Sequence, residues 1–214
     1  MIKPEMTTLE LSADIGLLAI VLTTANVCLG LLIAVRYSPW RLWPHRRINI
    51  FAMHTWTAHL VLTSILIHAL LLLFQRNPQW RLVDVAFPLW SPVQPVENTI
   101  GAAGLYLLFV VVVTSHLRLE LGRRRWKAFH YLVYAAGACI FFHGILADPQ
   151  LKGKTVYPLD GEKLLVEFCL AVLVLTTAWA WRYRVRKERK ERQERQERAR
   201  GIGRHRLLES AADD

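Results

Sequence analysis

The sequence predicts an all-α, polytopic membrane helix bundle with about five transmembrane helices. Of its 214 residues, 53% are hydrophobic, and these form long runs instead of the short alternations of a soluble domain. Roughly 20 apolar residues are needed to cross a hydrocarbon core of about 30 Å. Five runs reach or approach that length: Ile15–Val35, Ile48–Phe74, Thr99–His116, Phe129–Ala147 and Leu164–Trp181.

The first run is predicted to be a spanning helix and not a signal peptide. Glu5, Glu10 and Asp14 precede its apolar centre, where a signal peptide carries basic residues. No small-residue cleavage site follows the run. We therefore count it as the first of the five spans.

The distribution of basic residues predicts the orientation of the bundle. The predicted loops 36–47 and 118–127 and the chain from 182 onward hold 21 of the 27 Lys and Arg residues, and five spans put all three segments on one side. Because Lys and Arg are enriched in cytoplasmic loops, we expect the N-terminus outside and the C-terminus in the cytoplasm of a bacterial inner membrane. The net charge of +10 then reflects topology and contact with anionic lipid, and no nucleic acid is expected as a partner.

The last residues are predicted to form a charged cytoplasmic helical tail. The sequence RVRKERKERQERQERAR alternates basic residues with Glu at helical spacing, which is typical of a solvated helix. We therefore divide the chain into a transmembrane bundle, residues 1–181, and a tail, residues 182–214, that anchors at the membrane surface or docks a partner.

Four histidines inside the apolar runs form two levels. His54 and His68 lie on the second span, and His130 and His143 lie on the fourth, which runs in the same direction. The spacings of 14 and 13 residues separate the levels by roughly 20 Å. Each level has one imidazole from each helix, which is the arrangement of axial ligands around a low-spin b-type haem.

The helical angle suits one histidine pair better than the other. Fourteen steps of a helix return to within about 40° of the same face, whereas thirteen steps leave two side chains more than about 100° apart. The fourth span must therefore bend, twist or tilt for His130 and His143 to serve both levels. Gly137 lies between them and is a candidate for close packing or a local distortion.

The histidines also allow three functions other than haem binding. Zinc or copper needs three or four converging ligands, and His54, His59 and His116 are the candidates at the inner level. A transporter with a histidine relay normally also has intramembrane carboxylates, and Glu167 is the candidate. A further alternative is an accessory membrane subunit of a larger electron-transfer complex.

The two histidine pairs resemble a known family. The sequences HTWTAHLVLTSILIH and HYLVYAAGACIFFH, the second preceded by RRRWKAFH, are similar to the ferric reductase-like transmembrane domain. This domain is the haem core of ferric reductases, NADPH oxidases and the haem-bearing membrane subunit of the bacterial methionine-sulfoxide reductase system. The resemblance covers residues 48–147 and rests on histidine pairs with twelve or thirteen intervening residues.

The resemblance implies two haem b groups and names their ligands. His54 with His130 would hold the inner haem, and His68 with His143 would hold the outer haem. His59 is the alternative inner ligand. His116 is a candidate contact of a haem propionate, although a polar helix terminus explains it as well. The candidate propionate partners at the inner edge are Arg46, Arg47, Arg124 and Arg125.

The resemblance also implies a membrane b-type cytochrome that carries electrons across the bilayer as the haem subunit of an oxidoreductase. The chain shows no Gly-rich βαβ pattern of a flavin or nicotinamide domain. We therefore expect a separate electron donor, a flavoprotein or a membrane quinol, with a quinone or an exogenous flavin as a further cofactor. We also expect an external acceptor or partner subunit, and we expect residues 71–98, rich in Pro, Trp and Phe, to cap the outer haem.

Overall fold

The computed structural model describes residues 7–37, 49–147 and 161–210, with side chains of the last range described as far as residue 198. These ranges contain helices and no strand. The α-helices are α1 (Thr8–Ala34), α2 (Ile50–Leu71), α3 (Leu82–Ala86), α4 (Pro95–His116), α5 (Arg118–His130), α6 (Leu132–Leu146) and α7 (Gly161–Ser210). Single turns of 3-10 helix, Leu72–Phe74 and Pro88–Trp90, lie between α2 and α4.

Five helical stretches in the described ranges are long and apolar enough to cross a membrane. They are α1, α2 with the turn after it, α4, α5 together with α6, and α7 as far as Arg198. The predicted all-α bundle of about five membrane helices is therefore confirmed. The predicted orientation of its termini stays a prediction.

Helix α1 begins before the apolar run that starts at Ile15. The Thr7 hydroxyl accepts a hydrogen bond from the Glu10 N–H (3.2 Å), and the Glu10 carboxylate accepts one from the Thr7 N–H (2.8 Å). This capping box satisfies free N–H groups of the first turn, so the helix can start among polar residues. At the other end the chain leaves the helix at Arg36, which has a left-handed φ of 56°.

Helices α1 and α2 pack antiparallel along their length. Near one end the Ser12 hydroxyl donates to the His68 carbonyl (2.9 Å), and near the other the Asn26 amide donates to the His54 carbonyl (2.7 Å). We call the end that carries His68 and residues 75–94 the loop end. We call the opposite end, which carries His54 and the basic residues 118–127, the basic end.

The core lies between α1, α2, α4, α6 and α7. Its members are small or branched apolar side chains, which let the helices approach closely and interlock. The buried cluster consists of Ala19, Ile20, Val61, Ile65, Leu108, Ala136, Ile140, Phe141, Val166 and Cys169.

The basic segment between the third and fourth spans is helical. The sequence predicts a loop over residues 118–127, and this prediction is wrong because these residues form most of α5. Arg and Lys are good helix formers, so their charge marks exposure and not irregular backbone. The turn of the chain is concentrated at Gly122, whose φ of 72° and ψ of 160° are non-helical.

The fourth span is interrupted next to its first histidine. Tyr131 separates α5 from α6, and the Tyr134 N–H bonds to the Tyr131 carbonyl three residues back (3.2 Å). This tighter turn overwinds the helix between His130 and His143, which is the direction of change that the thirteen-residue spacing requires. Gly137 is not its location, because that residue lies inside α6 with open space where a side chain would project.

The loop between α2 and α4 folds over the loop end. The carboxylate of Asp84, which is 4% exposed, accepts hydrogen bonds from the Arg81 backbone (2.9 Å) and from the Arg81 guanidinium (3.1 and 3.2 Å). These bonds from Arg81 lower the pKa of the Asp84 carboxyl. The Tyr106 hydroxyl of α4 donates to the Ala86 carbonyl and ties α3 to the bundle.

Helix α7 runs without a break through the predicted boundary at residue 181. Its 50 residues span about 75 Å, so the helix extends far beyond the bundle. The side chains of residues 182–198 are mostly exposed, and Arg184 pairs with Glu188 at 3.0 Å. The predicted helix is present there, while the division into bundle and tail stays a prediction from composition.

Candidate haem sites

The four histidines form two opposed pairs, one at each end of the bundle. The ring centres of His54 and His130 are 6.3 Å apart, and those of His68 and His143 are 6.1 Å apart. Two metal–nitrogen bonds of about 2 Å, with the roughly 1 Å from each nitrogen to its ring centre, span about 6 Å. Both pairs therefore fit a bis-imidazole iron site.

Three of the four imidazoles are oriented by a backbone carbonyl. The Nδ1 atom of His54 lies 3.1 Å from the Asn26 carbonyl oxygen. The corresponding distance is 2.7 Å from His68 to the Ser12 oxygen and 2.8 Å from His143 to the Glu97 oxygen. A carbonyl only accepts, so Nδ1 carries the proton and Nε2 keeps the lone pair that binds a metal.

The same three rings lie over glycines of the neighbouring helix. A Cβ atom at Gly16 would lie 3.0 Å from the His68 ring, and one at Gly30 would lie 3.2 Å from the His54 ring. A Cβ atom at Gly101 would lie 3.0 Å from the His143 ring. Any larger residue at these positions would push against an imidazole, so each glycine provides the room in which a ring is held.

Acceptor and glycine recur with the same spacing. In SADIG, NVCLG and ENTIG, residues 12–16, 26–30 and 97–101, the first residue supplies the carbonyl and the fifth is the glycine. We call each five-residue unit an imidazole cradle. The two cradles on α1 are 14 residues apart, which equals the spacing of His54 and His68 on α2. Sequence analysis missed these units, although this shared spacing is a signal for them.

The fourth imidazole lacks a complete cradle. The Nδ1 atom of His130 is buried and has no hydrogen-bond partner among the described residues. Its ring instead stacks on Trp126, with ring centres 5.2 Å apart. Fourteen residues after Gly101 the chain has Ser115, whose hydroxyl is also buried and unpaired within the described ranges. The two histidine pairs are therefore held unequally.

His59 lies in a different pair. Its Nδ1 atom is 2.8 Å from the Thr55 carbonyl oxygen, and its Nε2 atom is 3.0 Å from Nε2 of His116. The structure thus brings His59 to α4 and not to His130. Among the described residues no group of three His, Cys, Asp or Glu is placed to hold a metal ion, so the zinc alternative lacks its converging ligands.

A cavity of about 180 Å³ adjoins the loop-end pair. His68 and His143 line it from the bundle, and Trp80 and Asp84 line it from the loop. Residues of the predicted cap therefore line the same cavity as the loop-end histidines, while capping of a haem stays a prediction. The Trp80 indole N–H is buried in the cavity wall and has no partner in the described part of the chain.

Lys163 closes the end of α6 beside this cavity. Its ammonium group donates to the carbonyl oxygens of Gly144 (3.1 Å), Ile145 (2.8 Å) and Ala147. These are carbonyls that the end of a helix leaves without N–H partners. Because His143 lies in the same turn, Lys163 also fixes the helix that carries this ligand.

Two of the four predicted propionate partners lie among the described residues. Arg46 and Arg47 lie outside the described residues. Arg124 and Arg125 have exposed side chains on α5, within two turns of His130. Their role at a haem edge stays a prediction.

Comparison with known proteins identifies the family. The model of the ferric reductase like transmembrane component matches residues 15–141, which is more than half of the chain. The matched range contains His54, His68 and His130, and His143 lies two residues beyond it. Neither the curated proteins nor the solved structures contain a match. On the extent of this match, the chain belongs to the family of ferric reductase-like transmembrane components.

Proposed function

We propose that this integral membrane protein is a b-type cytochrome that carries electrons across the bilayer through two bis-histidine haems. Membership of the family supports a membrane electron-transfer component, and domains of this kind generally bind haem. The finer proposal assigns His54 and His130 to one haem and His68 and His143 to the other. A bound haem supplies a one-electron ferric–ferrous couple.

The observation that carries the proposal is the geometry of the two pairs. Ring centres 6.3 and 6.1 Å apart match the span of two axial ligands. Three backbone carbonyls hold Nδ1 protonated in these rings, which leaves Nε2 free as a ligand atom. A structural histidine in the membrane has no need of an opposed partner at that separation.

The residues of this chain perform three tasks in such a conduit. The cradles orient the ligands and strengthen them as electron donors to the metal. The apolar core excludes water, which keeps the sites at low dielectric. The two ligand levels on α2 are about 20 Å apart along the helix, so each level is close to one membrane surface.

We further propose the direction in which the bundle is inserted. The basic end carries the segment 118–127 and the charged part of α7, and basic segments are retained on the cytoplasmic side. The loop end then faces the outside of a bacterial inner membrane. An electron donor acts at the basic end, and an external acceptor or partner subunit acts at the loop end.

The loop offers a surface for that acceptor. Phe87, Leu89 and Trp90 are 62%, 58% and 80% exposed in the segment that also borders the cavity of the outer pair. Exposed aromatic side chains next to a redox site suit a docking partner. An interfacial aromatic belt would expose the same side chains. A measurement of partner binding distinguishes the two interpretations.

The test is the dithionite-reduced minus oxidised spectrum of the purified protein, with haem counted per chain. We expect b-type bands and two haems. His68→Ala and His143→Ala should each remove the same haem, and His54→Ala and His130→Ala the other, because each haem depends on one pair. A chain that binds no haem under adequate supply would overturn the proposal and favour an accessory subunit.

The same series decides between the two candidate inner ligands. His59→Ala is expected to keep both haems, because His59 faces His116. Loss of the inner haem in this variant, with its retention in His54→Ala, would make His59 the ligand.

A further inference from the structure

The His59–His116 pair is separate from the four candidate ligands. His59 follows His54 by five residues, which turns its side chain about 140° around α2 and places it about 7.5 Å further along the axis. It therefore faces α4 instead of α1. His116 is the last residue of α4 and is exposed on the side of the bundle.

The hydrogen bonds of this pair define its protons. Nδ1 of His59 donates to the Thr55 carbonyl (2.8 Å), so Nε2 of His59 carries a lone pair. The 3.0 Å contact to His116 then requires a proton on Nε2 of His116. Nδ1 of His116 keeps its lone pair, and no described residue donates to it. The pair thus offers one free acceptor, connected to a second imidazole by a hydrogen bond.

The surroundings indicate which kind of molecule reaches this acceptor. Leu60 and Val113, neighbours on the same helices, are 53% and 37% exposed, and Trp56 is 69% exposed with its ring centre 6.2 Å from His59. An apolar surface within a membrane span faces lipid, so the ligand must be lipid-soluble. An aromatic molecule with a hydroxyl donor can hydrogen-bond His116 and pack on Trp56.

We propose that a membrane quinol binds at the His59–His116 pair and delivers its electrons to the basic-end haem. This inference rests on the function proposed above and names the donor and its entry point. Oxidation of the quinol to the quinone breaks two O–H bonds and releases two protons and two electrons. The electrons leave one at a time toward the His54–His130 pair, where a bound haem would supply the one-electron acceptor.

The imidazole pair accepts the protons. The first quinol hydroxyl gives its proton to Nδ1 of His116, and the Nε2 proton of His116 passes to Nε2 of His59. The imidazolium formed at His59 is stabilised by the Thr55 carbonyl. Release of the Nδ1 proton of His116 to water at the basic end, with return of the His59 Nε2 proton to Nε2 of His116, restores the original tautomers. The second hydroxyl then follows the same route. Positioned imidazoles accelerate such transfers by roughly a hundredfold or more.

The test combines labelling with reduction kinetics. A photoreactive azidoquinol, in excess under anaerobic conditions, is bound to the purified protein, and the labelled peptides are identified by mass spectrometry. We expect label on residues 53–60 and 109–117, and about tenfold less in His116→Phe, which removes the acceptor. His59→Phe removes the partner that fixes the proton of His116 and should reduce the label as well. Phe168→Leu, on the exposed surface of α7 (66% exposed), is the matched control and should label normally.

Reduction kinetics test the electron step. With decylubiquinol under anaerobic conditions, haem reduction should slow about tenfold or more in both histidine variants, while haem content and reduction by dithionite stay normal. Wild-type rates in both variants, or label confined to other peptides, would overturn the proposal. So would a pair that binds Zn²⁺ and takes no quinol label.

Failure of the two proposals gives different results. A protein without haem overturns the function proposed above, whereas azidoquinol labelling of the same protein still reports on the pair. A protein with two haems and no label at the pair overturns only the quinol site.

Discussion

At the residue scale, three of the four candidate ligands are held by a carbonyl and a glycine of the neighbouring helix. Each cradle combines a carbonyl that fixes one imidazole proton with a glycine that makes room for the ring. Neither feature requires an additional polar side chain, since both belong to the backbone of a membrane helix. Together they hold a histidine in one tautomer and one orientation before any metal arrives.

A substitution at a cradle glycine tests this arrangement. In Gly101→Ala the added methyl group would lie 3.0 Å from the His143 ring, and overpacking of this kind costs about 1–3 kcal/mol. We expect loss of the outer haem by absorbance, because the ring must move. Gly137→Ala is the matched control: nothing lies within 4 Å, so haem content should stay normal. Equal haem content in both variants would contradict the role of the cradle.

The incomplete cradle of His130 leads to a second prediction. A hydrogen bond from Nδ1 to a carbonyl makes an imidazole a stronger donor and favours ferric iron. His130 lacks a described acceptor, whereas both loop-end ligands have one. The basic-end haem should therefore have the more positive midpoint potential in a spectroscopic redox titration. His68→Ala, which should keep only this haem, assigns it, and the reverse order of potentials would contradict the argument.

At the element scale, α1 and α2 form one unit with a fixed register. Ser12 meets His68 and Asn26 meets His54 through the same kinds of contact, side chain to carbonyl and imidazole to carbonyl. Fourteen residues are close to four helical turns, so a single antiparallel register satisfies both ends. A shift by one residue would lose both sets of contacts together.

The loop element allows a pH-dependent prediction. The Asp84 pKa is lowered by hydrogen bonds from Arg81. The stabilisation that these bonds give the loop is therefore fully present at pH values above the pKa of an ordinary carboxyl. It is lost as the pH falls through the lowered pKa, below about pH 4. Asp84→Asn should lose protection against amide hydrogen exchange over residues 80–90 at pH 7, a loss of protection that the wild type shows only in acid. Unchanged exchange in the variant would show that other contacts hold the loop.

The sequence predicted correctly those features that depend on a single helix. Hydropathy located the spans, and the spacing of His54 with His68 placed histidines at two depths. It could not assign His59, because its partner depends on which helix faces that side of α2. The cradles were missed for the same reason: any residue can supply a carbonyl, and glycine is common in membrane helices. The sequence did not predict α5, because the charged residues 118–127 were interpreted as a loop.

At the scale of the whole molecule, the basic end and the loop end differ in charge and covering. One end carries exposed basic helices, and the other carries a folded loop with a buried carboxylate. This polarity matches a conduit whose donor and acceptor differ. It also predicts a single orientation in the membrane.

Cysteine labelling in whole cells tests the orientation. In a cysteine-free background, Leu82→Cys in the exposed loop (66% exposed) should react with a membrane-impermeant maleimide. Glu194→Cys on the charged part of α7 should react only after the membrane is permeabilised, because the proposed orientation places the basic end in the cytoplasm. The opposite pattern would invert the topology and the direction of electron entry.

The order of the helices along the chain has a consequence for biogenesis. Both ligands of α2 meet their acceptors on α1, so the first hairpin can form as soon as the ribosome has released it. Their opposing ligands, His130 and His143, emerge some 60 or more residues later. Newly made protein is thus expected to pass through a stage in which each half-built pair has one oriented imidazole. On the proposed function, haem binding at both pairs would await the insertion of α6.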